Sequence, residues 1–160
     1  MNDIGEAGTW SVGDLHSFLQ GSWSLYRTMN DLRLNMPGVL RGDVHILQAG
    51  GGDDTGDLVY REQGELNLGN HREAIDRTYV YKFPNHIKAP GQGEVHFEQG
   101  GLFHLLDLSS GFQKVLYTGK DDTYRGTFSV LDCDTWHVNW FIAGPAKEII
   151  IDSRYQRRAN

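Results

Sequence analysis

From Trp23 to Tyr155 apolar and polar residues exchange places at nearly every step, which is the period of a strand with one buried face. Leu40, Gly42, Val44 and Ile46 stand against Arg41, Asp43 and His45. Tyr124, Gly126, Phe128 and Val130 stand against Arg125, Thr127 and Ser129; Trp136, Val138, Trp140 and Ile142 stand against His137 and Asn139. Turn chemistry punctuates the runs at Asn35 to Gly38, Leu68 to His71, Ala89 to Gly93, Gln99 to Gly101, Ser109 to Gly111, Lys120 to Asp122, Asp132 to Asp134 and Ala143 to Ala146. The pattern predicts an all-β fold of about ten antiparallel strands in a meander. Ten such strands bury themselves best by closing into an up-and-down barrel, which also removes the edges.

Two stretches depart from the alternation. Ser11 to Leu19 reads as a short helix, with Ser11 as N-cap, Asp14 near the capping-box offset, and Leu15, Phe18 and Leu19 as its apolar face. It is too short to hold itself and is expected to plug one mouth of the barrel. Leu102 to Leu108 is ambiguous, because Phe103 and Leu105 compete with Leu102, Leu106 and Leu108 for the inner face. At 160 residues the chain reads as one domain, residues 11–160, behind a flexible lead-in of residues 1–10.

Composition narrows the classes. The net charge of −6, with Lys and Arg scattered, argues against a nucleic-acid surface. The single cysteine, Cys133, lies in a turn and excludes an intrachain disulfide and a cysteine-based zinc site. The polar, acidic start shows no signal-peptide pattern, and no apolar run approaches a membrane span, so a cytoplasmic protein, monomer or homodimer, is expected. The glycine-rich stretch from Gly50 to Gly56 reads as a loop tip without the strand-to-helix setting of a phosphate-binding loop.

Gly21-Ser-Trp23 on the first strand, with an arginine on the last, resembles the calycin superfamily, the small closed β-barrels that include the lipocalins. The resemblance implies that Trp23 plugs the closed end with Arg154 or Arg157 across it. Further pieces resemble a narrower calycin-like family of unknown function: Phe18-Leu-Gln-Gly-Ser-Trp23 with Arg27, Tyr60-x-Glu62-x-Gly64, Arg77-x-Tyr79, Phe97-x-x-Gly100, Asp122-x-Tyr124-x-Gly126, Trp140-x-x-x-Gly144-Pro145-x-Lys147 and Tyr155-x-Arg157. The match runs from about Phe18 to Arg157. In that family a His and a Cys two residues apart precede the Asp-x-Tyr; here Tyr117 and Gly119 stand there.

Parity places an unusual set on the inner face: Arg27, Tyr60, Glu62, Arg77, Tyr79, Tyr81, Tyr124, Trp140, Lys147 and Tyr155. Charges so placed must pair, meet water or meet a ligand. In one reading Glu62 bridges Arg27 and Arg77 in a structural network. In the other, favoured by the surplus of Tyr and Arg, the set lines a small-molecule pocket. Glu62, Arg77 and Tyr124 are then the candidate catalytic residues, Glu62 as base and the others stabilising developing negative charge. Arg27, Tyr60, Tyr79, Tyr81, Trp140, Lys147 and Tyr155 are the candidate ligand-binding residues. This chemistry needs no metal or other cofactor. His45, His96 and His137 fall on outward sets, and each histidine reads as a surface residue; His104 alone has a route inward. The expected partner is a small apolar or aromatic molecule, acted on by a cofactor-free isomerase, cyclase or lyase. The alternatives are a carrier without turnover and a haem-binding barrel of the nitrobindin kind.

Overall fold

The computed structural model describes residues 9–50 and 56–159. It contains one helix, α1 (Leu15–Leu19), and ten strands: β1 (Gly21–Asp31), β2 (Met36–Gln48), β3 (Leu58–Leu68), β4 (His71–Lys82), β5 (Gln92–Phe97), β6 (Leu102–Asp107), β7 (Phe112–Thr118), β8 (Thr123–Asp132), β9 (Thr135–Gly144) and β10 (Lys147–Arg157). All pair antiparallel in one sheet, ordered β6-β5-β4-β3-β2-β1-β10-β9-β8-β7. The first strand therefore pairs with the last, Trp23 opposite Arg157. Closure is nearly complete. β6 and β7, the terminal strands of the sheet, meet at a seam bridged by side chains, where the Asp107 amide donates to Gln113 Oε1. Most of the expected lead-in, residues 1–8, lies outside the described residues, as do residues 51–55 of the expected loop tip. Thr9 and Trp10 are hydrogen-bonded to Ser110 and Val130.

Inward parity holds on most strands. Trp23, Leu25, Val44, Ile46, Leu58, Tyr60, Tyr81, Phe128, Val130, Trp136, Val138 and Tyr155 are all buried in one core. At one end that core is sealed. The helix is shorter than the pattern predicts: Asp14, not Ser11, is the N-cap, and its carboxylate accepts from the Ser17 amide at 3.1 Å. The Leu15 amide, which would donate to the Ser11 carbonyl in a helix capped there, donates instead to the Pro90 carbonyl at 2.8 Å. Trp10 to Val130 and Val12 to Leu108 are backbone bonds to the two sides of the seam, so the entering chain stitches it at this end. Gly21 turns from α1 into β1 at φ 128°, a conformation that needs glycine. Trp23 follows, wholly buried, with its indole N–H donating to the Leu19 carbonyl at 3.0 Å. Arg157 lies over the Trp23 ring at 4.2 Å and donates to the carbonyls of Phe18, Gln20 and Cys133 and to Asp134 Oδ1. The latch is Arg157, and Arg154 lies on an exposed position.

The ambiguous strand is resolved by a β-bulge. Val95 pairs with His104 but His96 pairs with Leu102, so Phe103 is an extra residue on β6. The alternation is broken there. Phe103 and His104 both line the interior, while Leu102 and Leu105 are exposed. His104 is thus a buried interior residue, against the surface reading of the histidines. His45 is exposed and bonds Ser22, and His96 pairs with Glu94 at 2.8 Å.

Candidate functional site

Between the sealed end and the mouth, β1, β3 and β10 bring a polar network into the core. Glu62 is completely buried and accepts both prongs of the Arg27 guanidinium, at 2.8 and 2.9 Å. Arg27 Nε donates to Ser153 Oγ at 2.7 Å. The register explains how a residue two strands away reaches Glu62. Arg27 stands opposite Leu40 and Glu62 opposite Val44, so Gly42 lies on the diagonal between them and offers no side chain to block it. Gly42 and Gly64 also face each other so closely that a Cβ on either would strike the other strand's backbone.

The Tyr60 hydroxyl donates to Glu62 Oε1 at 2.7 Å and lies 2.8 Å from the Tyr155 hydroxyl. One hydroxyl carries one proton, so Tyr155 donates to Tyr60 in turn. Burial works against the Glu62 carboxylate, but the bond and charge of Arg27, the Tyr60 bond and the charge of Arg77 together hold its pKa below the usual range. Burial would lower Arg27; Tyr155 and Glu62 outweigh it and raise it further. Burial lifts Tyr60 and Tyr81 well above the ordinary tyrosine value, and Tyr155 up to about 12. All three hydroxyls therefore keep their protons at neutral pH. Burial lowers the His104 pKa against the opposing bond of its Nδ1–H to the Leu105 carbonyl, which leaves the ring neutral with Nε2 as its acceptor nitrogen.

Beside this network lies a cavity of about 60 Å³, lined by Arg27, Tyr60, Glu62, Arg77, Tyr79, Tyr81, Phe103, His104, Trp136, Trp140 and Tyr155 among others. Known small-molecule pockets run to roughly 300–1,000 Å³, so the aromatic rings leave room for a few waters only. The Trp136 indole N–H is buried and finds no acceptor among the described residues.

The residues expected to share the interior divide into three groups. Arg27, Tyr60, Glu62, Tyr81 and Tyr155 form or touch the buried network. Arg77, Tyr79 and Trp140 line the cavity toward the mouth. Arg77 stands directly opposite Glu62 on β4 and adds favourable charge to it, yet its side chain is exposed and makes no hydrogen bond or ion pair among the described residues. The bridge from Glu62 to both arginines is thus a bond to Arg27 alone. Tyr124 stands farther out, half-buried, with its ring edge-on to Phe103 at 6.2 Å and near Tyr117 and Trp140. Lys147 corrects the parity reading: it opens β10 at the rim, half-exposed, paired with Asp122 at 3.3 Å outside the cavity. Phe103 and His104 line the cavity although neither stood among the candidate site residues, and Phe97 and Tyr117 pack against Phe103. The conflict of parity over Leu102 to Leu108 was the visible sign of two of them. Among the described residues, no three of His, Cys, Asp or Glu converge as a metal site, and no helix is long and apolar enough to cross a membrane.

The chain belongs to a family of unknown function, DUF6314, whose model matches residues 19–157. No curated protein matches it in sequence. Among solved structures, an S-type phycobiliprotein lyase from Guillardia theta is similar with a TM-score of 0.72 at 12% identity, covering 96% of this chain and 96% of that one. A protein of unknown function from the DUF3598 family of Nostoc punctiforme is similar at 0.57 and 13% identity, covering 98% of this chain and 52% of that one. At such identities the shared property is the barrel.

Proposed function

Starting from a barrel of this family with this interior, we propose that the protein binds a small molecule in the barrel, beside the Arg27–Glu62–Tyr60–Tyr155 network. The observation that carries the reading is a surplus of interior positive charge. Two arginines and one glutamate face the cavity, Glu62 is saturated by Arg27 and Tyr60, and Arg77 is left unpaired at the mouth in a chain of net charge −6. Arg77 adds favourable charge to Glu62 but makes no bond to it, so its guanidinium donors are left for another partner. The aromatic lining supports the same reading.

Binding without turnover is favoured over a cofactor-free isomerase, cyclase or lyase. A general base works best with a pKa near the working pH; burial raises that of Glu62, but the bond and charge of Arg27 outweigh it and hold the carboxylate below its ordinary range. If turnover occurs, neutral His104 is the better base, with Arg77 facing developing negative charge and Tyr124 near the mouth. The haem-carrying alternative gains its inward histidine in His104 but only about 60 Å³ beside it; a Soret band in a visible scan of the purified protein would establish it. The test of binding is native mass spectrometry of the protein after incubation with a small-molecule cell extract. The expected result is a noncovalent adduct that disappears on denaturation. The bare protein mass throughout, with no rise in Tm, overturns the reading.

A further inference from the structure

Regular alternation along β6 would place Phe103 outside the barrel. The bulge turns it inward beside His104. Its ring then lies nearly parallel to two others: Tyr79 at 5.8 Å and 18°, and Trp140 at 5.3 Å and 13°. Tyr79 is on β4 and Trp140 on β9, five strand steps apart in a ring of ten, hence on opposite walls. Phe103 therefore reaches in from the seam and stacks across the lumen between facing aromatic walls, as a bound planar ring would.

The strand that carries it is suited to release it. β6 has no backbone ladder to β7, so its outer edge is held by side chains alone, and the turn before it runs through Gly100 and Gly101 at φ 103° and 96°, conformations that need glycine. The only interior cation without a partner, among the described residues, is the Arg77 guanidinium, a planar fork matched to carboxylate, sulfonate or phosphate oxygens.

Resting on the reading of the interior as a small-molecule site, we propose that Phe103 holds the place of the ligand's own ring: the site takes a planar aromatic or conjugated molecule bearing an acidic group, which stacks between Tyr79 and Trp140 once Phe103 swings out through the β6–β7 seam, and whose acidic group lies against Arg77. In the closed form the site is occupied by the protein itself. Apparent affinity is then reduced by the fraction of molecules that are open, and a variant that lacks the ring removes that reduction.

The test uses the full chain and two fluorescent probes with the same rings: anionic 1-anilinonaphthalene-8-sulfonate and neutral N-phenyl-1-naphthylamine. Phe103→Ala is expected to tighten both by about tenfold or more, as the open fraction approaches one. Phe103→Leu is expected to tighten them less and serves if the alanine variant loses its cooperative melt, since a loosened core also lights up such dyes. Arg77→Gln in the Phe103→Ala or Phe103→Leu background is expected to weaken the sulfonate about tenfold, roughly one close charge-assisted contact, and to leave the neutral probe within about twofold. Probes that bind wild type with an affinity unchanged by either Phe103 variant overturn the gate while binding itself stands. Equal weakening of both probes by Arg77→Gln, or of neither, overturns the acidic-group assignment. No binding to any cooperatively folded variant overturns the binding reading and this proposal with it.

Discussion

At the α1 end of the barrel, all three nitrogens of the Arg157 side chain are engaged and its plane rests on Trp23. At the mouth, Arg77 meets solvent and bonds to nothing among the described residues. The seam follows the same division: stitched by Trp10 and Val12 below, it is crossed by rings above, where Phe103 sits edge-on to Tyr117 at 5.2 Å. One end of this molecule is built to hold and the other is left with capacity to spare. The saturated Arg27–Glu62 pair marks the boundary. A charged group in this barrel therefore cannot be read as functional merely because it faces inward; its partners decide.

The contrast can be broken at either end. Trp23→Ala should be the most damaging change, about 3–5 kcal/mol by truncation of a wholly buried aromatic ring, read from denaturant melts; a loss under about 1 kcal/mol would mean the sealed end is not the anchor. Glu62→Gln should cost about 3 kcal/mol, because it strands the Arg27 charge in the core. Adding Arg27→Met should recover part of that loss, and a purely additive double variant would show that the pair is not coupled.

A smaller effect comes from His104. Its folded pKa lies below the unfolded value of about 6.5. Its contribution is fully present above pH 6.5 and is lost as pH falls toward the folded value, with a slope of at most about 1.4 kcal/mol per pH unit. His137 is lowered too, by burial and Arg154, and shares that window, so the measurement is the difference between wild type and His104→Gln. The two stability curves should converge below pH 6.5, and parallel curves would show that His104 titrates normally. Glu62, also lowered, adds a loss of the same sign at more acidic pH. Arg77→Gln should change stability least, within about 0.5 kcal/mol; a loss of 2 kcal/mol would mean the mouth is braced like the sealed end.

The barrel and its strand count were legible because alternation and turn residues are local signals, whereas the Trp23–arginine closure was implied by the resemblance to the calycins. Glu62 and Arg27 were legible as inner residues by parity alone. Which arginine Glu62 would choose was not. Arg77 stands directly opposite and is the obvious neighbour, but water competes for it at the mouth, whereas buried Arg27 has a clear path over Gly42. Lys147 shows the limit of parity: it has the inward phase but opens its strand at the rim, where Asp122 is within reach. At Phe103 the conflict of parity was visible in the sequence, but its resolution was not. A bulge is one residue of mismatch between two strands, and neither strand's sequence carries it alone.

The pairing of β1 with β10 has a consequence for how the molecule comes into being. As the chain leaves the ribosome, β1 to β6 can add to one another in order, and β7 to β9 can do the same as a second, separate ladder. The outer edge of β1 and the free edge of β9 stay open until Lys147 to Arg157 emerges. That segment also brings Arg157 to Trp23, so the tenth strand closes against the first. A nascent chain paused short of that strand exposes two aggregation-prone edges. Completion of this barrel waits for its tenth strand, and a rate governed by such distant pairing is slow.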